Sequence, residues 1–103
     1  MTNRAYAEAI FSRSPDAVRA AALRAFARLG WPARLGENGA IAAVWTSRIF
    51  RFRDDIGVEI SAEKPRCRVL VRSASRVGRH DFGQNARHIR ELLGALETEL
   101  ENS

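Results

Sequence analysis

In 103 residues the sequence has one cysteine, one methionine, one tyrosine and three prolines, and aromatic side chains make up only 8% of it. A lone Cys67 excludes an internal disulfide and a multi-cysteine zinc site. No apolar run approaches the ~20 residues that a membrane-spanning helix needs. No basic start followed by a long apolar stretch suggests a secretory signal. Repeats, low-complexity stretches and linkers are also missing. One α+β domain over residues 1–103 is therefore expected, in a soluble cytoplasmic protein. Residues 1–13 read as an edge strand or an N-terminal arm, and 98–103 as a frayed tail.

What is present is enough for a core. The chain is 46% hydrophobic and 28% charged, a globular composition. A chain of this size buries roughly two thirds of its unfolded surface. Lys and Arg number 17 against 12 acids, a net charge of +5. All of the basic residues but Lys64 are Arg. GC-rich coding also produces such an Arg and Ala bias, so Arg abundance alone does not signal phosphate binding. The charge is uneven. Residues 64–90 carry eight bases against Asp81 alone, while 91–103 carry four Glu and no base.

Ser14, Pro15 and Asp16 form a helix start, with Ser14 as N-cap. Val18, Ala22, Ala25, Phe26 and Leu29 follow on one helical face, Arg24 and Arg28 lie opposite, and Gly30 is a natural stop. The period then changes to two. Trp31 to Leu35 is a short strand candidate, and Asn38-Gly39 is a hairpin turn signal. Ala40 to Thr46 is apolar on both faces. Asp54-Asp55 reads as a turn before a strand that places Ile56, Val58 and Ile60 on one side. After a second turn at Glu63-Lys64-Pro65, Cys67, Val69, Val71 and Ser73 alternate with Arg66, Arg68, Leu70 and Arg72. A last helix spans about Gly83 to Glu101, with Asp81 as its cap. Its apolar stripe is Ala86, Ile89, Leu93, Leu96 and Leu100, with Leu92 beside it. The pattern predicts a two-layer α+β sandwich, an antiparallel sheet of about four strands with two helices on one face. A helix-grip-like sheet curled around the last helix is the alternative.

The stretch Ser73-Ala-Ser75-Arg76-Val-Gly78-Arg-His-Asp81-Phe-Gly83-Gln-Asn85-Ala-Arg87-His-Ile89 resembles the signature of the domain-of-unknown-function family numbered 1499. Thr46-Ser-Arg48 and Phe50-Arg-Phe52-Arg-Asp54-Asp55-Ile56 also resemble that family's strand and acidic turn. The resemblance covers about residues 14–97 and implies no particular reaction. The same residues make a coherent structural loop: strand-end hydroxyls at Ser73 and Ser75, and Asn85 in the first helical turn. Arg76 is within reach of Asp81, Asp54 or Asp55. A binding site built on the loop is the competing reading.

Catalytic and metal constellations are weak. Adjacent His80 and Asp81 point apart, so a triad with Ser75 is not expected. His80, Asp81 and His88 are the nearest metal set, but Arg87 and Arg90 flank His88, and a solvated or loop-packed His88 is expected. Asp54 and Asp55 read as solvated or Arg-paired, and Cys67 as a core thiol. No cofactor is implied. The basic stripe is the best lead, because Arg forks suit carboxylates and phosphates. The candidate ligand-binding residues are Arg48, Arg72, Ser75, Arg76, Arg79, Asp81 and Asn85.

The favoured function is a non-enzymatic binding domain. It would hold a small anionic ligand or an acidic protein partner through the Arg-rich sheet face and the Ser73–Arg90 loop. A small enzyme with its site in that loop, or a purely structural accessory domain, are the alternatives. Nucleic acid is less favoured, because few aromatics accompany the Arg face. A homodimer is expected by one of two routes. Antiparallel last helices could match their Arg and Glu ends, or open sheet faces could meet around Leu70 and Trp45 or Val44. A monomer is the alternative.

Overall fold

The structure is a computed structural model that describes residues 4–76 and 83–102. The elements are β1 (Arg4–Phe11), α1 (Pro15–Leu29), β2 (Ala33–Leu35), β3 (Ile41–Thr46), β4 (Arg53–Glu63), β5 (Arg66–Ser75) and α2 (Gln84–Glu101). The strands form one antiparallel sheet in the order β1-β5-β4-β3-β2. Strands β2 to β5 are a meander, and β1 closes its far edge against β5. The architecture is the expected two-layer α+β sandwich, with five strands rather than about four. The additional strand is β1, where Ala5, Ala7 and Ala9 alternate with Tyr6, Glu8 and Ile10. Small alanines carry little strand preference, so the pairing with β5, not local propensity, decides its form.

Helix α1 is built by local signals. The Ser14 hydroxyl accepts the Ala17 N–H at 3.1 Å, and Pro15 opens the helix. Gly30 ends it at φ 76°, a left-handed conformation that a Cβ would penalise. Val18, Ala21, Ala22, Ala25 and Phe26 are buried against the sheet. In α2 the buried stripe is Ile89, Leu92, Ala95, Leu96 and Leu100, joined by Asn85 and His88. It is rotated from the expected stripe: Ala86 and Leu93 are only half-buried. Asp81, the expected cap of α2, lies outside the described residues, and Gly83 stands at the cap position.

Between the layers, the inner face of the sheet contributes Ile41, Ala43, Ile56, Val58, Cys67, Val69 and Val71. Burial pushes the Cys67 thiol above its ordinary pKa, as expected of an inert core cysteine. The expected frayed tail is helical through Glu101. Leu100 is buried there, and Arg13 Nη2 donates to the Leu100 carbonyl at 2.9 Å. Among the described residues no helix is long and apolar enough to cross a membrane.

Candidate functional site

One end of the core is polar. Strand β4 begins at Arg53, so Asp54 and Asp55 lie inside a strand and not at a turn. Period two then puts Asp54 on the same side as Ile56 and Val58, and it is 0% exposed. Across the sheet it faces Ser75, and Ile56 faces Ser73. Helix α2 brings Gln84, Asn85 and His88 over the same spot, because positions three and four apart share a helix face.

These groups satisfy one another. His88 Nε2 lies 3.0 Å from Asp54 Oδ2, and Gln84 Nε2 donates to the same oxygen at 3.2 Å. Asn85 Oδ1 accepts the Ser73 hydroxyl at 2.6 Å, and Asn85 Nδ2 donates to the Ser75 hydroxyl at 3.1 Å. Pairing of this kind offsets the cost of burying polar groups. The expectation of a solvated or loop-packed His88 is therefore corrected: it is 3% exposed. Asp54 is likewise neither solvated nor at a turn, and it holds the imidazole. Burial lowers the His88 pKa below its ordinary value, and the hydrogen bond to Asp54 opposes this only in part. A neutral imidazole beside a carboxylate carries its proton on Nε2, which leaves a lone pair on Nδ1. That buried Nδ1 has no hydrogen-bond partner among the described residues. The ring sits between two indoles, with centroids 5.3 Å from Trp31 and 4.5 Å from Trp45.

The same indoles line a cavity of about 720 Å³. It opens between the end of α1, the start of β2 and the end of β3. Leu29, Pro32, Val44 and Thr46 add apolar and hydroxyl surface, and Arg48, Arg53 and Arg76 add three guanidinium groups. Arg76 is held by Asp55 through a forked contact, Nε to Oδ2 at 3.0 Å and Nη2 to Oδ1 at 2.9 Å. Among the described residues no carboxylate pairs with Arg48 or Arg53.

The predicted site residues divide accordingly. Arg48 and Arg76 meet at the cavity, and Ser75 and Asn85 meet in the buried network beside it. Arg72 stands apart on the outer sheet face, ion-paired to Glu59. Arg68 there is shared by Glu8 and Glu63, and Glu63 is held below the usual carboxylate pKa by Arg68. Arg79 and Asp81 lie outside the described residues. Sequence reasoning missed Asp54, His88, Arg53 and the two tryptophans. Two signals point to the missed pair: Asp54 is in phase with Ile56, Val58 and Ile60, and His88 is four residues from Leu92 and eight from Leu96. Among the described residues no three His, Cys, Asp or Glu side chains converge as a metal site requires.

Fold and site together define a small α+β domain: an antiparallel sheet, two helices on one face, and a polar-ended core beside an Arg-rimmed cavity. The chain belongs to the family described as "Protein of unknown function (DUF1499)", whose model matches residues 2–96. The fold is similar to that of TTHA0849 from Thermus thermophilus, with a TM-score of 0.54 at 13% identity, covering 96% of this chain and 97% of that one. No curated protein matches the chain.

Proposed function

We propose that the protein is a cytoplasmic, non-enzymatic binding domain that holds a small anionic ligand with an aromatic or apolar body. One observation carries this reading: a cavity of about 720 Å³ joins Trp45 and Trp31 to Arg48 and Arg53, two guanidiniums without a carboxylate partner among the described residues. Such a cavity is within the size range of small-molecule sites, and the pairing of ring faces with Arg forks suits an aromatic carboxylate or phosphate ester. The outer Arg face supports the reading less, because Arg68 and Arg72 already hold acids. The enzyme alternative keeps its site in the Ser73–Arg90 loop, from which Arg76 alone, among the described residues, lines this cavity. A lone buried thiol fits the cytoplasmic setting.

Self-association is proposed only through the sheet faces, where Ala42, Val44 and Leu70 stand outward. The helix route loses part of its motive, since Arg24 and Arg28 of the same chain hold Glu99.

The test is a thermal-shift and calorimetric titration with phenyl phosphate and with inorganic phosphate, at low and high salt. Phenyl phosphate should raise the melting temperature at low salt and bind more tightly than inorganic phosphate. Arg48→Ala with Arg53→Ala should weaken binding at least tenfold and leave the unliganded melting temperature unchanged. Failure of phenyl phosphate to bind at low salt removes the proposal.

A further inference from the structure

The loop between β3 and β4 exposes what a folded chain ordinarily hides. Ile49 is 83% exposed and Phe50 72%, the highest values among the large hydrophobic side chains apart from Tyr6. Phe52 is 40% exposed, and its ring stacks on that of Phe50, with centroids 5.7 Å apart and planes 24° apart. The loop is not loose. Its neck is closed at Ser47 and Phe52: the Ser47 N–H donates to the Phe52 carbonyl at 2.8 Å, and the Phe52 N–H donates to the Ser47 hydroxyl at 2.8 Å. Between them Arg51 holds φ 60°, a left-handed conformation that costs a side-chain-bearing residue about 1 kcal/mol. A closed neck, a left-handed turn and stacked rings keep Ile49 and Phe50 projecting away from the core.

Basic residues alternate with this apolar tip along the chain. Arg48, Arg51 and Arg53 interleave with Ile49, Phe50 and Phe52, and the segment 47–53 contains no acid. None of the three guanidiniums is ion-paired among the described residues. We infer that this loop is a peripheral membrane anchor: Ile49 and Phe50 insert into the interface of an anionic lipid bilayer while Arg48, Arg51 and Arg53 lie among its phosphates.

Size and charge favour a bilayer over a protein partner. A stable protein interface needs roughly 800 Å² from each side and an apolar centre depleted of charge. A four-residue tip with an Arg at every second or third position offers neither. Shallow insertion of two side chains, with guanidiniums reaching back to the headgroups, needs only a small wedge and an anionic surface. The cytoplasmic leaflet has that surface charge. The anchor does not depend on what fills the cavity, although Arg48 and Arg53 border both.

Co-flotation of the full chain with phosphatidylcholine vesicles, and with vesicles containing about 30% phosphatidylglycerol, tests this at low and high salt. The protein should float with the anionic vesicles and not with the neutral ones. Ile49→Ser with Phe50→Ser should weaken that binding at least tenfold, since each buried side chain of this size carries about that factor. Arg51→Gly, which keeps the left-handed turn, should weaken it about fivefold. Both variants should fold as the parent does and keep its response to phenyl phosphate, which separates anchor failure from cavity failure. No flotation with anionic vesicles overturns the inference. So does flotation that the Ile49/Phe50 variant leaves unchanged, because charge alone would then explain it. Concentration-dependent self-association that this variant abolishes, without lipid binding, would assign the loop to a second copy instead and also overturn it.

Discussion

Asp54 and Glu59 stand five residues apart on one strand and meet opposite fates. Asp54 faces the helices, is fully buried, and shares its carboxylate between His88 and Gln84. Glu59 faces outward, is about half exposed, and meets Arg72 across to β5. Both acids have a basic partner on another element. Their surroundings differ, and so does the role of the pairing. Water can replace Arg72 at Glu59 with little loss. Nothing can replace His88 at Asp54 without leaving polar atoms dry, so the inner contact specifies the packing of α2 on the sheet.

Removing Asp54 should therefore have the largest effect. Asp54→Ala leaves the His88 N–H and the Gln84 amide without their shared acceptor in a closed space, and should cost about 3 kcal/mol in urea unfolding. A loss below about 1 kcal/mol would show that the inner pair is as replaceable as the outer one.

The next effect is one of pH. His88 has a pKa below its ordinary value of 6.5, so the folded state binds its proton less readily than the unfolded state. The contribution is fully present above about pH 6.5 and is lost as pH falls from there through the folded pKa. Glu91 on the next turn of α2 and Asp54 work against this shift, and Arg87 works with it. Stability should decline as pH falls below about 6.5, ahead of carboxylates such as Glu63 and Glu99, which are held below their ordinary range. The decline should flatten in His88→Gln. An unchanged slope in that variant would assign the decline to another group.

Arg72→Ala should have the smallest effect. An exposed pair contributes about 0–1 kcal/mol, and the difference from the parent should shrink further in about 1 M salt. A loss comparable to that of Asp54→Ala would erase the distinction between the two faces.

The two helices repeat the contrast in a form that bears on what sequence reasoning can reach. Helix α1 is legible residue by residue, because Ser14, Pro15 and Gly30 act on their own neighbours. Helix α2 ends in Glu97, Glu99 and Glu101, which by themselves oppose its dipole. Arg24 and Arg28 of α1 hold Glu99, pulling its carboxyl below the usual pKa, and Arg13 caps the Leu100 carbonyl. Those partners lie more than 70 residues away. Charges that call for a second copy when the helix is read alone thus find part of their complement within the chain.

The candidate site is half legible for the same reason. Arg48, Arg76, Ser75 and Asn85 are reached through the stretch that resembles a known family and through strand-end chemistry. Asp54 and His88 escape a sequence reading, since two adjacent acids read as a turn and a histidine between arginines reads as solvated. Their phase with Ile56 and with Leu92 is visible, but a polar residue on an apolar face becomes a buried site only when a partner arrives from another element.

By itself, then, the sequence determined the two-layer class, the caps of α1, the alternation of the strands and the apolar faces that join the layers. These follow from periods of 3.6 and 2 and from local backbone preferences. Only the tertiary structure decided that β1 joins the sheet beside β5, that Asp54 meets His88, and that Arg48 and Arg53 share a cavity with two tryptophans. Each of these is a pairing across the fold. No residue's own propensity encodes its distant partner, and the free energy of such a pairing exists only once both sides have been withdrawn from water.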